Sequence, residues 1–242
     1  MNKNRRILLK LSGEALAGEK GFGFDETVVR GVAAQVKPSV DAGIQVAVVI
    51  GGGNFWRGRT GTGMDDRTRA DQIGMLATVM NAIYVSDIFR QEGMQTEIYT
   101  PFAVGAMTKL FSKDEASAAL SAGKVVFFAG GTGHPYFSTD TGIALRAIEM
   151  QADEILLAKA IDGVYDKDPN RYPDAHKYTR LTLSEVVEQS LQVIDMTASI
   201  LCLENHMPLS VFGLNVENSI AMAIQGRIDE IGGTKVTVKE ED

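Results

Sequence analysis

The chain has 242 residues, with 31 Asp and Glu against 24 Lys and Arg, a formal net charge of -7, and 45% hydrophobic residues. That balance offers no basic face for a nucleic-acid backbone, so a polyanion must be met by a local basic pocket. The single cysteine, Cys202, rules out an intrachain disulfide framework and suits a reducing cytoplasm. No apolar run nears the ~18 residues of a spanning helix, so the chain is read as soluble and unprocessed, with neither membrane nor nucleic acid among its partners. Its length fits one large domain over residues 1–242.

Ile7 to Leu11, closed by Ser12-Gly13, reads as a central strand of a parallel sheet. Lys10 inside it must emerge at the strand's C-terminal end or meet an anion, or else snorkel from a sheet edge. Gly18-Glu19-Lys20-Gly21-Phe22-Gly23 is a loop; Gly13 and Gly18 have the spacing of a phosphate loop, but Glu19-Lys20 stands where Lys-[Ser/Thr] is required. Asp25 caps a helix with apolar positions Val28, Val29, Val32, Val36 and Val40, ended by Gly43; Pro38 predicts a kink or an early last turn. Ile44 to Ile50 is a second buried strand, and Gly51-Gly52-Gly53-Asn54 follows it as an open floor, with Arg57 beyond as a planar donor fork for phosphate.

Asp65 to Gln91 predicts a long helix with an apolar stripe at Ile73, Leu76, Met80, Ile83 and Ile88, and Asp71 off that stripe. Thr96 to Thr100 resembles a strand, Pro101 to Leu110 has no clear pattern, and Ser112-Lys113-Asp114-Glu115 predicts a capping box. Val125 to Ala129 is a buried strand leading into Gly130-Gly131-Thr132-Gly133-His134-Pro135-Tyr136-Phe137-Ser138-Thr139-Asp140, where glycines strip away side chains and a helix begins at a Thr/Asp cap. Amides at such a helix start suit an anion.

Ile155 to Ala158 is a further strand ending at Lys159, followed by a loop through Asp168-Pro169. Thr182 to Glu185 is a second capping box, Asp195 precedes a helix from Met196 to Glu204, and Leu209 to Phe212 is a strand. A helix over Val216 to Gln225 and a last strand at Val236 to Val238 close the chain. Cys202 is read as a small core hydrophobe, and His176 and His206 as loop or helix-end residues. Alternating strands and helices predict an α/β/α arrangement with a mostly parallel sheet, whose ligands gather beyond the carboxyl ends of the strands.

Two glycine floors, two lysines and an arginine with carboxylates nearby are the parts of phosphoryl transfer, which needs charge neutralised and two oxygens held in line. Two phosphorylated substrates would meet head to head, with magnesium bridging the donor phosphates and Asp140 keeping lysines oriented and protonated. An ionised nucleoside monophosphate needs no general base.

The motifs Leu9-Lys10-Leu11-Ser12-Gly13-Glu14, Gly51 to Gly58, Ala70 to Asn81, the central loop, and Asp162-Gly163-Val164-Tyr165 with Asp168-Pro169 occur together in this order. On them the chain closely resembles the bacterial uridylate (UMP) kinases of the amino acid kinase family. The resemblance implies a three-layer α/β/α fold, conversion of UMP to UDP by MgATP, and a homohexamer. It places Lys10, Leu11, Ser12, Gly13, Gly53 and Arg57 at phosphates, with Lys10 the main transition-state cation, and Tyr165 and Asp168 at the ATP nucleoside. Lys159 joins the ATP side, in a phosphate-facing or an adenine-facing place. Gly52, Asp71, Thr132, Gly133, His134, Pro135, Tyr136, Phe137, Ser138 and Thr139 would hold UMP, Asp71 through ribose hydroxyls. Asp140 and Asp195 would organise the catalytic lysine and magnesium, with no direct protein ligand to the metal.

The chain departs from the family in three places. His134 stands where Asn is usual, the segment around Lys159 is shorter, and Pro101 to Lys124, with Ser86 and Glu97, lacks arginines of a GTP effector site. Gly18 to Gly23 keeps the look of the associated allosteric loop. The same fold serves a non-catalytic reading, nucleotide and oxyanion storage; Lys10, Arg57, Asp71 and Asp140 favour turnover. A dinucleotide oxidoreductase would need a G-x-G-x-x-G that Gly51 to Asn54 does not supply.

Overall fold

Alternation along β1 (Arg6–Leu11) sets the layout, because successive side chains of a strand point to opposite faces. Ile7, Leu9 and Leu11 enter one hydrophobic core and Leu8 the other. In β2 (Gln45–Ile50), Val46, Val48 and Ile50 share the first core, Ala47 and Val49 the second. Lys10, two positions after Leu8, therefore faces the second layer at the strand's carboxyl end. The structure, a computed structural model, describes residues 5–56 and 65–238.

Among the described residues the main sheet has nine strands. Their order is β4 (Lys109–Leu110), β3 (Thr96–Thr100), β5 (Val125–Phe128), β2, β1, β6 (Glu154–Lys159), β10 (Leu209–Gly213), β11 (Thr234–Thr237) and β9 (Arg180–Thr182). Every neighbouring pair is parallel except β10 with β11. A hairpin of β7 (Val164–Tyr165) and β8 (Lys177–Tyr178) stands apart. The first core is covered by α1 (Gly13–Leu16), α2 (Glu26–Asp41), α3 (Arg67–Gln91) and α8 (Ser219–Ile224). The second is covered by α4 (Lys113–Ser121), α5 (Thr139–Glu149), α6 (Leu183–Glu188) and α7 (Met196–Glu204). This is the expected three-layer α/β/α arrangement.

The start signals are read correctly at Asp25, whose carboxylate accepts from Thr27 N at 3.0 Å, and at Thr182, which forms a reciprocal capping box with Glu185. Ser112 makes only the forward half, to Glu115 N at 3.4 Å. α5 is capped by Ser138 rather than by Thr139 or Asp140. α2 runs past Pro38 to Asp41, so no early end occurs; Gly43, at φ 89°, then turns the chain. Cys202 is fully buried, and burial pushes its thiol up to about 12.

The apolar stripe of α3 does not face the sheet. Ile73, Leu76, Met80 and Ile83 are exposed, by 50% at Leu76, and only Ile88 of the predicted set is buried. The sheet-side face carries Val79, Val85, Ile88 and Phe89 in the core, with small residues Ala70, Ala77, Thr78, Ala82 and Ser86 among them. They let the helix lie against the glycine floor: a Cβ on Gly52 would stand 2.9 Å from Gly74 O and 3.0 Å from Ala77 Cβ. By length and composition alone α3 could cross a bilayer, and half of its most apolar stretch is buried inside the protein.

Candidate functional site

The carboxyl ends of β1, β2, β5 and β6 open onto one side of the sheet, where open α/β sheets bind ligands. β1 delivers Lys10, and the first turn of α5 delivers Asp140; the two form an ion pair, both largely buried. An ammonium that close to a carboxylate is what Lys10's interior position requires. Beside it, β6 ends in Lys159, whose ammonium donates to the carbonyl of Val193. Burial lowers the Lys159 pKa, Asp140 raises it and Lys10 lowers it again, so the three charges share one neighbourhood.

Asp195 ties the starts of α5 and α7 together. It caps α7 by accepting from Ala198 N at 3.0 Å, and it accepts hydrogen bonds from Ser138 Oγ and, at 3.1 Å, Thr141 Oγ1. Burial works to raise its pKa, but the bonds from Ser138, Ala198 N and Thr141 outweigh that and hold it below the usual aspartate value. Ser138 in turn accepts from Asp140 N at 2.9 Å. Ser138 thus links the backbone of Asp140 to the carboxylate of Asp195, while the Asp140 carboxylate is left to Lys10.

Two cavities meet at Lys10 and Ser12. The larger, about 600 Å³, includes Lys159, Tyr165 and Asp168. The smaller, about 330 Å³, includes Gly13, Gly51, Gly52, Gly53, Asp71 and the Thr132, His134 and Phe137 to Thr139 stretch. Leu11 instead belongs to the core, and Gly133 and Pro135 do not line either cavity. Tyr136 reaches the site through its backbone, donating its N–H to Asp71 at 2.7 Å. Arg57 lies outside the described residues. A third cavity, about 770 Å³, lies behind the Thr132 to Phe137 loop against α5 and α7. It contains neither Lys10 nor Lys159, so the chemistry belongs at the Lys10 junction.

Sequence reasoning missed what holds the floors in place. Asn54 and Asn81 are buried and bond reciprocally, Asn54 Nδ2 to Asn81 Oδ1 at 2.9 Å and Asn81 Nδ2 to Asn54 Oδ1 at 2.8 Å. Their other N–H groups donate to Gly23 O at 2.8 Å and Gly51 O at 2.7 Å. Thr78 accepts from Gly130 N at 2.8 Å, joining α3 to the second floor. Asn81 and Thr78 project from α3, where an amide or hydroxyl among apolar neighbours gave the only signal.

The expected effector elements are occupied by internal contacts. Gly18 to Lys20 form a 3-10 turn. Glu97 binds Lys124 at 2.7 Å, Lys109 at 3.0 Å and the Tyr99 hydroxyl at 2.6 Å. Burial pushes its carboxyl up, but these bonds prevail and hold it at about 2.

The sequence matches the amino acid kinase family over residues 5–213. The chain is similar in structure to a UMP kinase from Bacillus anthracis, with TM-score 0.90 and 33% identity over 98% of this chain and 97% of that one. It is similar also to a UMP kinase from Ureaplasma parvum, with TM-score 0.90 and 32% identity over 97% of this chain and 99% of the other.

Proposed function

The chain belongs to the amino acid kinase family, and from that premise we propose that it transfers the γ-phosphoryl group of MgATP to UMP, giving UDP and ADP. The observation that carries the reading is the meeting of two cavities at a single lysine paired to a carboxylate. ATP takes the larger cavity, its nucleoside toward Tyr165 and Asp168. UMP takes the smaller, its ribose toward Asp71, its uracil toward the Thr132 to Phe137 loop and its phosphate toward Gly52 and Gly53.

Lys10 stands where the transferred group passes, and its charge offsets what develops on the equatorial oxygens. Asp140 pairs with that ammonium and aims it; Lys159 adds a second positive charge nearby, and Arg57, which lies outside the described residues, is the third cation of the proposal. The UMP phosphate is already ionised, so the residues need orient it only. Among the described residues no group of three or more His, Cys, Asp or Glu is placed to hold a metal ion, and both oxygens of Asp195 accept protein hydrogen bonds. Magnesium would be brought in on the ATP phosphates and would neutralise their charge, with Asp140 and Asp195 organising its surroundings. The exposed α3 stripe supports assembly into a homohexamer, and a cytoplasmic role in pyrimidine nucleotide synthesis belongs to the same proposal. GTP regulation has less support, since Glu97 already neutralises Lys109 and Lys124. No observation favours the storage reading.

The test is phosphate transfer from MgATP to UMP, dUMP, CMP, AMP and carbamate, with Lys10→Ala alongside. Turnover of UMP, with kcat reduced about 100-fold or more in Lys10→Ala, is the expected result. Nucleotide binding without any transfer would sink the kinase reading.

A further inference from the structure

We propose that Asn81 and Asn54 are positioning residues for phosphoryl transfer, and that their paired amides aim the Gly51 to Gly53 backbone at the phosphates. The inference rests on the kinase reading above and deepens it.

Each side-chain amide has two N–H donors, and here all four are used: two within the pair, one on Gly51 O, one on Gly23 O. A buried pair so completely satisfied has one low-energy arrangement, because rotating either amide would leave donors without acceptors. The pair therefore transmits position rather than merely filling space.

What it positions is the floor of the smaller cavity. The Gly51 N–H donates to Leu11 O of β1 at 3.0 Å while the Gly51 carbonyl accepts from Asn81, so Gly51 is gripped on both sides. In a planar trans peptide the carbonyl and the following N–H point in opposite directions, so the hold on Gly51 O fixes where Gly52 N–H points. The Gly52 carbonyl is taken by Phe55 N and Trp56 N, both at 3.0 Å, which fixes Gly53 N–H likewise. Both carbonyls are committed to the protein, and the loop is left to offer donors to a phosphate. Gly13 closes against the same pair: a Cβ there would lie 2.5 Å from Asn54 Oδ1 and 3.1 Å from Asn81 Nδ2.

On the other side the pair reaches the Gly18 to Gly23 loop, where Gly23 N also donates to Asn54 O at 3.1 Å. Phe24 stacks on Tyr84 of α3 at 3.9 Å and meets Phe55 edge-on at 5.2 Å. Hydrogen bonds and ring contacts thus tie the glycine floor, α3 and this loop together.

The experiment compares nucleotide with nucleoside binding by calorimetry in wild type, Asn81→Leu and Asn54→Leu, with circular dichroism and melting as checks on folding. A displaced floor weakens contacts to phosphate and leaves those to uracil and ribose. UMP Kd is expected to rise about tenfold or more and kcat to fall about 10- to 100-fold, while uridine Kd changes less than about twofold. If UMP and uridine weaken together, or neither weakens, the positioning role is wrong. Asn81→Asp, which keeps the volume and removes the donors to Gly51 O and Asn54 Oδ1, is judged by the same ratio if the leucine variants fail to fold. A wild type that neither binds nor phosphorylates UMP overturns the kinase reading alone, and the pair is then judged on ATP against adenosine.

Discussion

The carboxylate of Asp71 on α3 accepts the backbone N–H of Tyr136 at 2.7 Å, joining a helix to a loop sixty-five positions away. Tyr136 has φ 73°, in the left-handed region that costs a non-glycine residue about 1–2 kcal/mol. Arg67 completes the contact, its guanidinium 4.5 Å from the Tyr136 ring centre and 3.6 Å from Asp71. One carboxylate therefore both holds the loop and lines the smaller cavity. Asp71→Ala is expected to raise the UMP KM about 10- to 100-fold and to erase the preference for UMP over dUMP. Asp71→Asn, which retains an acceptor for Tyr136, should keep the loop and lose less. An unchanged UMP to dUMP ratio in Asp71→Ala would remove Asp71 from ribose recognition.

Two glycine-to-alanine changes should have opposite signs. A Cβ at Gly13 would lie 2.2 Å from Gly51 O, a backbone atom that cannot yield without moving the floor. Gly13→Ala should cost about 2–4 kcal/mol in urea unfolding, with activity lost. Gly31, in the middle of α2, has nothing within 4 Å of its added Cβ. Gly31→Ala should leave activity alone and stabilise by about 0.5–1 kcal/mol, through helix propensity.

Glu97 gives a pH signature. Its folded-state carboxyl is held at about 2, against an ordinary value of 4.5. A depressed acid contributes stability that is fully present above its unfolded pKa and is lost as pH falls through the folded one. Glu97→Gln should therefore cost about 2 kcal/mol at neutral pH, allowing for the water around Lys109. The gap to wild type should close between about 4.5 and about 2. Denaturant melts across that range check it; a constant gap would mean that packing, not charge, explains the loss.

The outward stripe on α3 predicts assembly. Leu76→Glu with Met80→Glu places charge on the exposed apolar face without entering either core. Light scattering should show wild type as a hexamer and the double variant as a smaller species with an unchanged far-UV spectrum. Equal masses would place the contacts between copies elsewhere.

The sequence by itself determined the strands β1, β2, β5 and β6, the helices between them, and the position of Lys10 and Lys159 at strand ends. Those features follow from local rules: an apolar run bounded by glycine, a capping Asp or Thr, a 3.6-residue spacing. The short strands β4, β7, β8 and β9 escaped it because two or three residues carry no period. It could not say which side of α3 faces the sheet, since a helical stripe has the same spacing inward or outward. Only the tertiary packing puts Val79, Val85, Ile88 and Phe89 in the core and makes small residues necessary where Gly52 meets Gly74 and Ala77. Nor could it show Asn54 gripping Asn81 or Ser138 holding Asp195; Asp140 is expected from the sequence to orient a lysine, and the fold supplies that contact with Lys10 across 130 positions. Such contacts exist only after parallel strands bring distant loops to one edge of the sheet, where burial turns each polar side chain into a group that must find a partner.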